Sequence, residues 1–140
     1  MRCFWHCWGM KHILSLLALL LALPAFAQDL MSAEEFDAYT RGKTLYYGQN
    51  GRAYGAEIYY DNRRVKWSFL DGECKDGSWF EEAGLICFVY DDNPSPQCWS
   101  FVSGPTGLIA RFENAADTTE LYEARDIGKD LICLGPKVGV

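Results

Sequence analysis

Residues 44–70 read TLYYGQNGRAYGAEIYYDNRRVKWSFL, and this stretch decides the fold class. Arg64 to Leu70 alternates most cleanly, with Val65, Trp67 and Phe69 on one face and Arg64, Lys66 and Ser68 on the other. A period of two marks a β-strand with one buried face. Upstream, Thr44 to Tyr47 and Tyr54 to Tyr60 flank Gln49-Asn50-Gly51-Arg52. Asn-Gly is a strong hairpin turn, because Gly takes a positive φ without steric penalty. Asp61-Asn62 then turns the chain into the alternating run, so three consecutive strands pair antiparallel.

The same rhythm continues downstream. Ser78 to Glu82 and Leu85 to Tyr90 read as a hairpin about Glu82-Ala83-Gly84. Asp91 to Gln97, with Pro94 and Pro96, reads as a loop too polar for a strand. Cys98 to Ser103 returns with Trp99 and Phe101 facing one way, Gly104-Pro105-Thr106-Gly107 turns, and Leu108, Ala110 and Phe112 alternate with Ile109, Arg111 and Glu113. Thr118 to Arg125 is a last long strand before an irregular tail. On the N-terminal side, Ser32 and Glu35 form a capping box for one short helix over Ala33 to Arg41, ended by Gly42. Seven to eight strands joined by short turns, without crossover helices, predict an all-β up-and-down meander. Closing it into a small barrel or half-barrel protects its edges. A sandwich is the alternative, disfavoured by the lack of long sheet-switching connections.

Of the chain's 140 residues, 1–27 read as an export signal and 28–140 as a single domain. Met10-Lys11-His12 is a basic start, Ile13 to Leu23 an apolar run, and Ala25-Phe26-Ala27 a cleavage site. Met10 begins a complete signal by itself, so Met1 to Gly9, with Cys3 and Cys7, reads as an upstream start error. The apolar run is short for a bilayer span of about 20 residues. Beyond the signal, 11 Lys and Arg face 19 Asp and Glu, a net charge of −8, which disfavours nucleic acid and anionic membranes. Both histidines, His6 and His12, lie inside the signal. Past it, Ser/His and Cys/His nucleophiles and His-ligated metals are excluded. The product is expected to be periplasmic or secreted, without a membrane span or cofactor.

Four cysteines follow the signal, Cys74, Cys87, Cys98 and Cys133, at gaps of 13, 11 and 35. An even count in an oxidising compartment predicts two disulfides, whereas a zinc site needs close Cys pairs. In a meander, Cys74 and Cys98 fall on either side of the strand bearing Cys87, which predicts Cys74–Cys98 and Cys87–Cys133.

Gly42-Lys43-Thr44, Tyr54 with Glu57 and Tyr59-Tyr60, Trp67 with Phe69, Gly77-Ser78-Trp79, Cys87-Phe88-Val89-Tyr90 and Cys98-Trp99-Ser100-Phe101 occur in that order. In these motifs, above all Cys-Trp-x-Phe, residues 42–101 resemble a family of small exported bacterial proteins of unknown function. The resemblance implies a lipocalin-like β-barrel and carries no catalytic residue with it.

Chemistry-bearing residues are sparse. Glu81 and Glu82 are adjacent on a strand and point to opposite faces, so they do not form an acid–base pair on one substrate. Glu57 is expected to pair with a neighbouring-strand cation such as Lys66; without one, a carboxylate inside an aromatic barrel has a raised pKa. Asp91-Asp92-Asn93 with Ser95 offers hard oxygens but departs from a calcium loop, and Gly104 to Gly107 lacks the lysine and helix of a phosphate cradle. Trp67, Trp79, Trp99, Phe88 and Tyr90 either fill the core or line a cavity for a small apolar or aromatic ligand. Tyr46, Tyr47, Tyr54, Tyr59 and Tyr60 crowd the first hairpin, where their hydroxyls favour a rim or a partner-facing patch. The sequence thus favours a non-enzymatic exported binding protein that recognises an envelope or secreted protein. A ligand carrier is the alternative, and a carboxylate-dependent hydrolase using Glu57, Glu81 or Glu82 a remote third.

Overall fold

In the computed structural model, residues 28–115, 119–125 and 128–135 are described. Residues 1–27, which read as an export signal, lie outside them. The capping box at Ser32 forms: its hydroxyl accepts from Glu35 N, and the Glu35 carboxylate accepts from Ser32 N. Two of the first-turn amides are thereby satisfied, and helix α1 runs over Ala33–Thr40.

Eight strands follow: β1 (Thr44–Gln49), β2 (Arg52–Tyr59), β3 (Arg64–Ser68), β4 (Lys75–Glu82), β5 (Leu85–Tyr90), β6 (Asn93–Gly104), β7 (Gly107–Phe112) and β8 (Glu120–Ala124). Each pairs antiparallel with the next, and β8 returns to β1, closing the barrel. The all-β up-and-down barrel with one short helix is therefore the fold. The closing seam is short, Tyr46↔Ala124, Tyr47↔Glu123 and Gly48↔Tyr122. Gly48 is required there, because a Cβ would lie 2.7 Å from the Tyr122 ring. That ring's hydroxyl accepts from Gly51 N at 2.9 Å, tying β8 to the first turn.

Alternation sends one side chain in two inward. Leu45, Tyr47, Glu57, Tyr59, Val65, Trp67, Trp79, Ile86, Phe88, Phe101, Leu108, Ala110 and Leu121 are all buried. Helix α1 closes one end of this interior. Phe36 is fully buried, with its ring centroid 5.1 Å from Trp79, 5.7 Å from Tyr59 and 4.6 Å from Phe101. The preceding segment is held by Met31 N donating to Phe101 O, and the following one by Gly42 N donating to Tyr59 O. The other end, where the β1–β2, β3–β4 and β5–β6 connections lie, has no such plug among the described residues.

Two expectations are corrected. Residues 93–97 are not loop: β6 starts at Asn93, directly after the Asp91-Asp92 turn. Pro94 and Pro96 fit because β7 pairing begins only at Trp99 and the β5 register shifts between Phe88 and Tyr90, so no ladder needs their missing N–H. Asn114 stands in for a strand neighbour, its amide donating to Pro96 O at 2.8 Å and its carbonyl accepting from Cys98 N.

The disulfides are Cys87–Cys98 and Cys74–Cys133, not the pairing expected. The cause is the same early start of β6, which sets Cys98 directly opposite Cys87 in the ladder. Cys74, left in the β3–β4 connection, ties down the C-terminal tail, where Leu134 N also donates to Gly72 O. Among the described residues, no helix is long and apolar enough to cross a membrane.

Candidate functional site

Between the α1 plug and the open end lies a cavity of about 110 Å³. Its walls are aromatic: Tyr54 and Trp67 from β2 and β3, Phe88 and Tyr90 from β5, Trp99 and Phe101 from β6. Trp67 stands opposite Glu57 in the ladder. It lies across the sheet because β2 offers it Gly55, where a Cβ would come within 2.3 Å of the indole ring. The rim is built from Phe69, 48 % exposed just beyond the end of β3, and from Lys75, Asp92, Asn93 and Gln97. Lys75 Nζ and Asp92 Oδ2 pair at 2.8 Å, so the cation at the mouth is already matched.

The polar groups sit deeper. Glu57 is 2 % exposed and lines the cavity. The Tyr90 hydroxyl donates to both its oxygens, at 3.2 and 3.1 Å. The expected ion pair with Lys66 does not form: Lys66 faces Ile58 on the outer side of the barrel and pairs with Asp76 at 3.5 Å. Burial therefore pushes the Glu57 carboxyl well above the usual carboxylate range, with the Tyr90 hydrogen bond pulling weakly the other way. Beside it, the Tyr47 and Tyr59 hydroxyls share a 2.8 Å hydrogen bond. That bond uses one of their two protons and leaves the second to donate elsewhere. Burial raises the pKa of Tyr47, Tyr59 and Tyr90, so all three stay phenols at neutral pH.

The candidate ligand-binding set is mostly assembled here. Trp67, Trp99, Phe88 and Tyr90 line the cavity. Trp79 does not: it lies in the closed end against Phe36, with the Arg63 guanidinium over its ring at 4.5 Å. The tyrosines assigned to a partner-facing patch are dispersed. Tyr47 and Tyr59, at 3 % and 2 % exposed, point into the barrel and cannot meet a partner protein, since alternate residues of an antiparallel hairpin face opposite sides. Tyr54 is at the cavity wall. Tyr46 faces outward and accepts from Leu131 N at 3.3 Å, while Tyr60 is exposed. Glu81 and Glu82 are exposed near the β4–β5 turn and do not line the cavity.

Neither cation-binding alternative assembles. Asp92 is paired with Lys75, and Asn93 Oδ1 accepts from Ser95 N at the start of β6. Glu82, Cys87 and Cys98 cluster within 4.8 Å, but the disulfide consumes both sulfurs and leaves one carboxylate. Sequence reasoning missed Tyr47 and Tyr59 as cavity residues, although the period of two from Leu45 and from Glu57 places them on the same face. Compared with known proteins, the chain matches no family model, no curated protein and no solved structure.

Proposed function

We propose that this protein is an exported, non-enzymatic binding module that carries a small, largely apolar or aromatic ligand in its barrel. The observation that supports this reading is the aromatic-walled cavity of about 110 Å³, open at one end, with the buried Glu57 carboxyl and the Tyr47 and Tyr59 hydroxyls at its base. A dry cavity of roughly 150 Å³ accepts benzene. The space here suits one ring, or the ring-bearing end of a longer molecule whose remainder leaves through the mouth. Apolar walls with a few convergent polar groups are the ordinary composition of such sites.

Export is supported by the leader-like residues 1–27 and by two disulfides, which persist in oxidising compartments. The protein-recognition reading loses Tyr47 and Tyr59 from its patch, and the hydrolase reading finds, as a second carboxylate lining the cavity among the described residues, only Asp92, which Lys75 holds at the rim. The test is a native mass spectrum of the protein recovered after export from cells making the full chain. An excess mass of a few hundred daltons or less, lost on denaturation, supports the carrier. A bare mass, together with no uptake of added single-ring compounds, overturns it.

A further inference from the structure

Among the described residues, Glu57 is a buried acid without a partner of opposite charge. Its two oxygens receive one hydroxyl, that of Tyr90, although an ionised carboxylate accepts about four hydrogen bonds. Its neighbours in the ladder are Leu45 and Trp67, neither of which supplies a cation. The nearby Lys75 is held by Asp92 at the mouth. Around the space in front of Glu57 stand the rings of Tyr54, Trp67, Phe88 and Tyr90. Trp67 lies 5.9 Å from Tyr54, and Phe88 and Tyr90 are nearly parallel, 8° apart. Faces of aromatic rings attract cations through their quadrupoles, most strongly where water is excluded. The chain's net negative charge also favours cations over anions as ligands.

Resting on the carrier reading, the geometry points to a small organic cation as the ligand: a primary ammonium on a single ring or short chain, with Glu57 as its counter-ion and Tyr54, Trp67 and Tyr90 as the aromatic faces about it. The ammonium supplies the hydrogen-bond donors that the Glu57 oxygens lack, and its apolar portion takes the place of water against Phe88 and Trp99. Burying an ion pair is tolerable only when both partners are well hydrogen-bonded: the Tyr90 hydroxyl already donates to Glu57, and the hydroxyl oxygens of the Tyr47–Tyr59 pair have lone pairs that can accept from the ammonium.

The proton balance follows. Empty, and below the pKa that burial raises, the site holds Glu57 as the neutral acid. When an ammonium enters, the Glu57 proton leaves to solvent, and an ammonium–carboxylate pair remains. The other titratable groups facing the site are Tyr47 from β1, Tyr54 and Tyr59 from Glu57's own strand, Tyr90 from β5, and the Lys75–Asp92 pair at the rim; burial raises the Tyr54 pKa as it does those of the other three phenols. The phenols stay protonated and contribute no proton at neutral pH.

Benzylamine and benzyl alcohol, near-identical in shape, separate the alternatives by calorimetric titration of the exported protein at mildly acidic pH in two buffers of different ionisation enthalpy. The amine is expected to bind more tightly and to release close to one proton per molecule bound. Glu57→Gln, which preserves shape and removes the charge, should weaken benzylamine by about tenfold or more and leave the alcohol nearly unchanged. The proton count is read on the unsubstituted protein and does not depend on the variant folding. Equal or tighter binding of the alcohol, without proton release, overturns the cation and leaves the carrier standing. Binding of neither probe overturns both.

Discussion

Glu57 should make the barrel less stable as pH rises, opposite to the usual behaviour of a salt-bridged carboxylate. In the unfolded chain its pKa is close to the ordinary value of about 4.3. In the fold, burial against aromatic rings raises it well above that. Between the two values the native state binds the Glu57 proton and the unfolded state does not, so the free energy of unfolding falls with every unit of pH. The slope attributable to this one group approaches about 1.4 kcal/mol per pH unit inside the window. Its stabilising effect is complete below the unfolded pKa and lost as pH climbs to the folded one. Glu57→Gln, a permanently neutral stand-in for the protonated acid, removes the slope. Urea unfolding of both proteins from pH 4 to pH 8, with disulfides intact, isolates the effect by difference and cancels the contributions of all other groups. The two should be nearly equal in stability at pH 4, and the variant should become progressively more stable than the parent as pH rises. Parallel curves across the range would refute the reasoning, since they would mean that Glu57 is solvated or paired in the fold.

Three further outcomes follow from the packing. Gly55→Ala places a Cβ within 2.3 Å of the Trp67 ring and 2.8 Å of Ser68 O, so it should destabilise by about 1–3 kcal/mol and shift the Trp67 fluorescence, as measured by denaturant titration with emission scans. Trp67→Ala and Trp79→Ala should each cost about 3–5 kcal/mol, but only the first should abolish uptake of a single-ring ligand, because only Trp67 lines the cavity. Replacing Cys74 and Cys133 by Ser should destabilise more than replacing Cys87 and Cys98, by about 1.5 kcal/mol on chain-entropy grounds, because their separations are 59 and 11 residues. Thermal melts of the two double variants, compared with the parent, check the order.

The architecture was legible where local chemistry acts alone. Asn50 and Gly51 both take a positive φ in the first hairpin, as their turn propensity demands, and the Ser32–Glu35 box caps the helix. The alternation at Val65 and Trp67 also holds, although Phe69 lies beyond the strand's end and stays half-exposed at the mouth. What the sequence concealed were matters of register. Two prolines disguised the start of β6, since nothing local shows that Pro94 and Pro96 project past β7 and use Asn114 as a surrogate neighbour. Losing those residues hid the opposition of Cys87 and Cys98 across the Asp91-Asp92 turn, and with it the Cys87–Cys98 disulfide. Glu57 was misread for a related reason. Lys66 and Trp67 point to opposite faces, and ladder partners share a face, so a carboxylate opposite Trp67 could not also reach Lys66.

The central claim is that a ligand enters between the walls bearing Trp67 and Trp99 and does not reach Trp79 beneath them. The direct measurement is an NMR titration of the ¹⁵N-labelled protein with toluene, following the indole N–H resonances of Trp67, Trp79 and Trp99, assigned by substitution. Saturable shifts of the Trp67 and Trp99 signals, with Trp79 unmoved, are the predicted result. No saturable shift, or a shift of Trp79 as large as the others, would contradict the account.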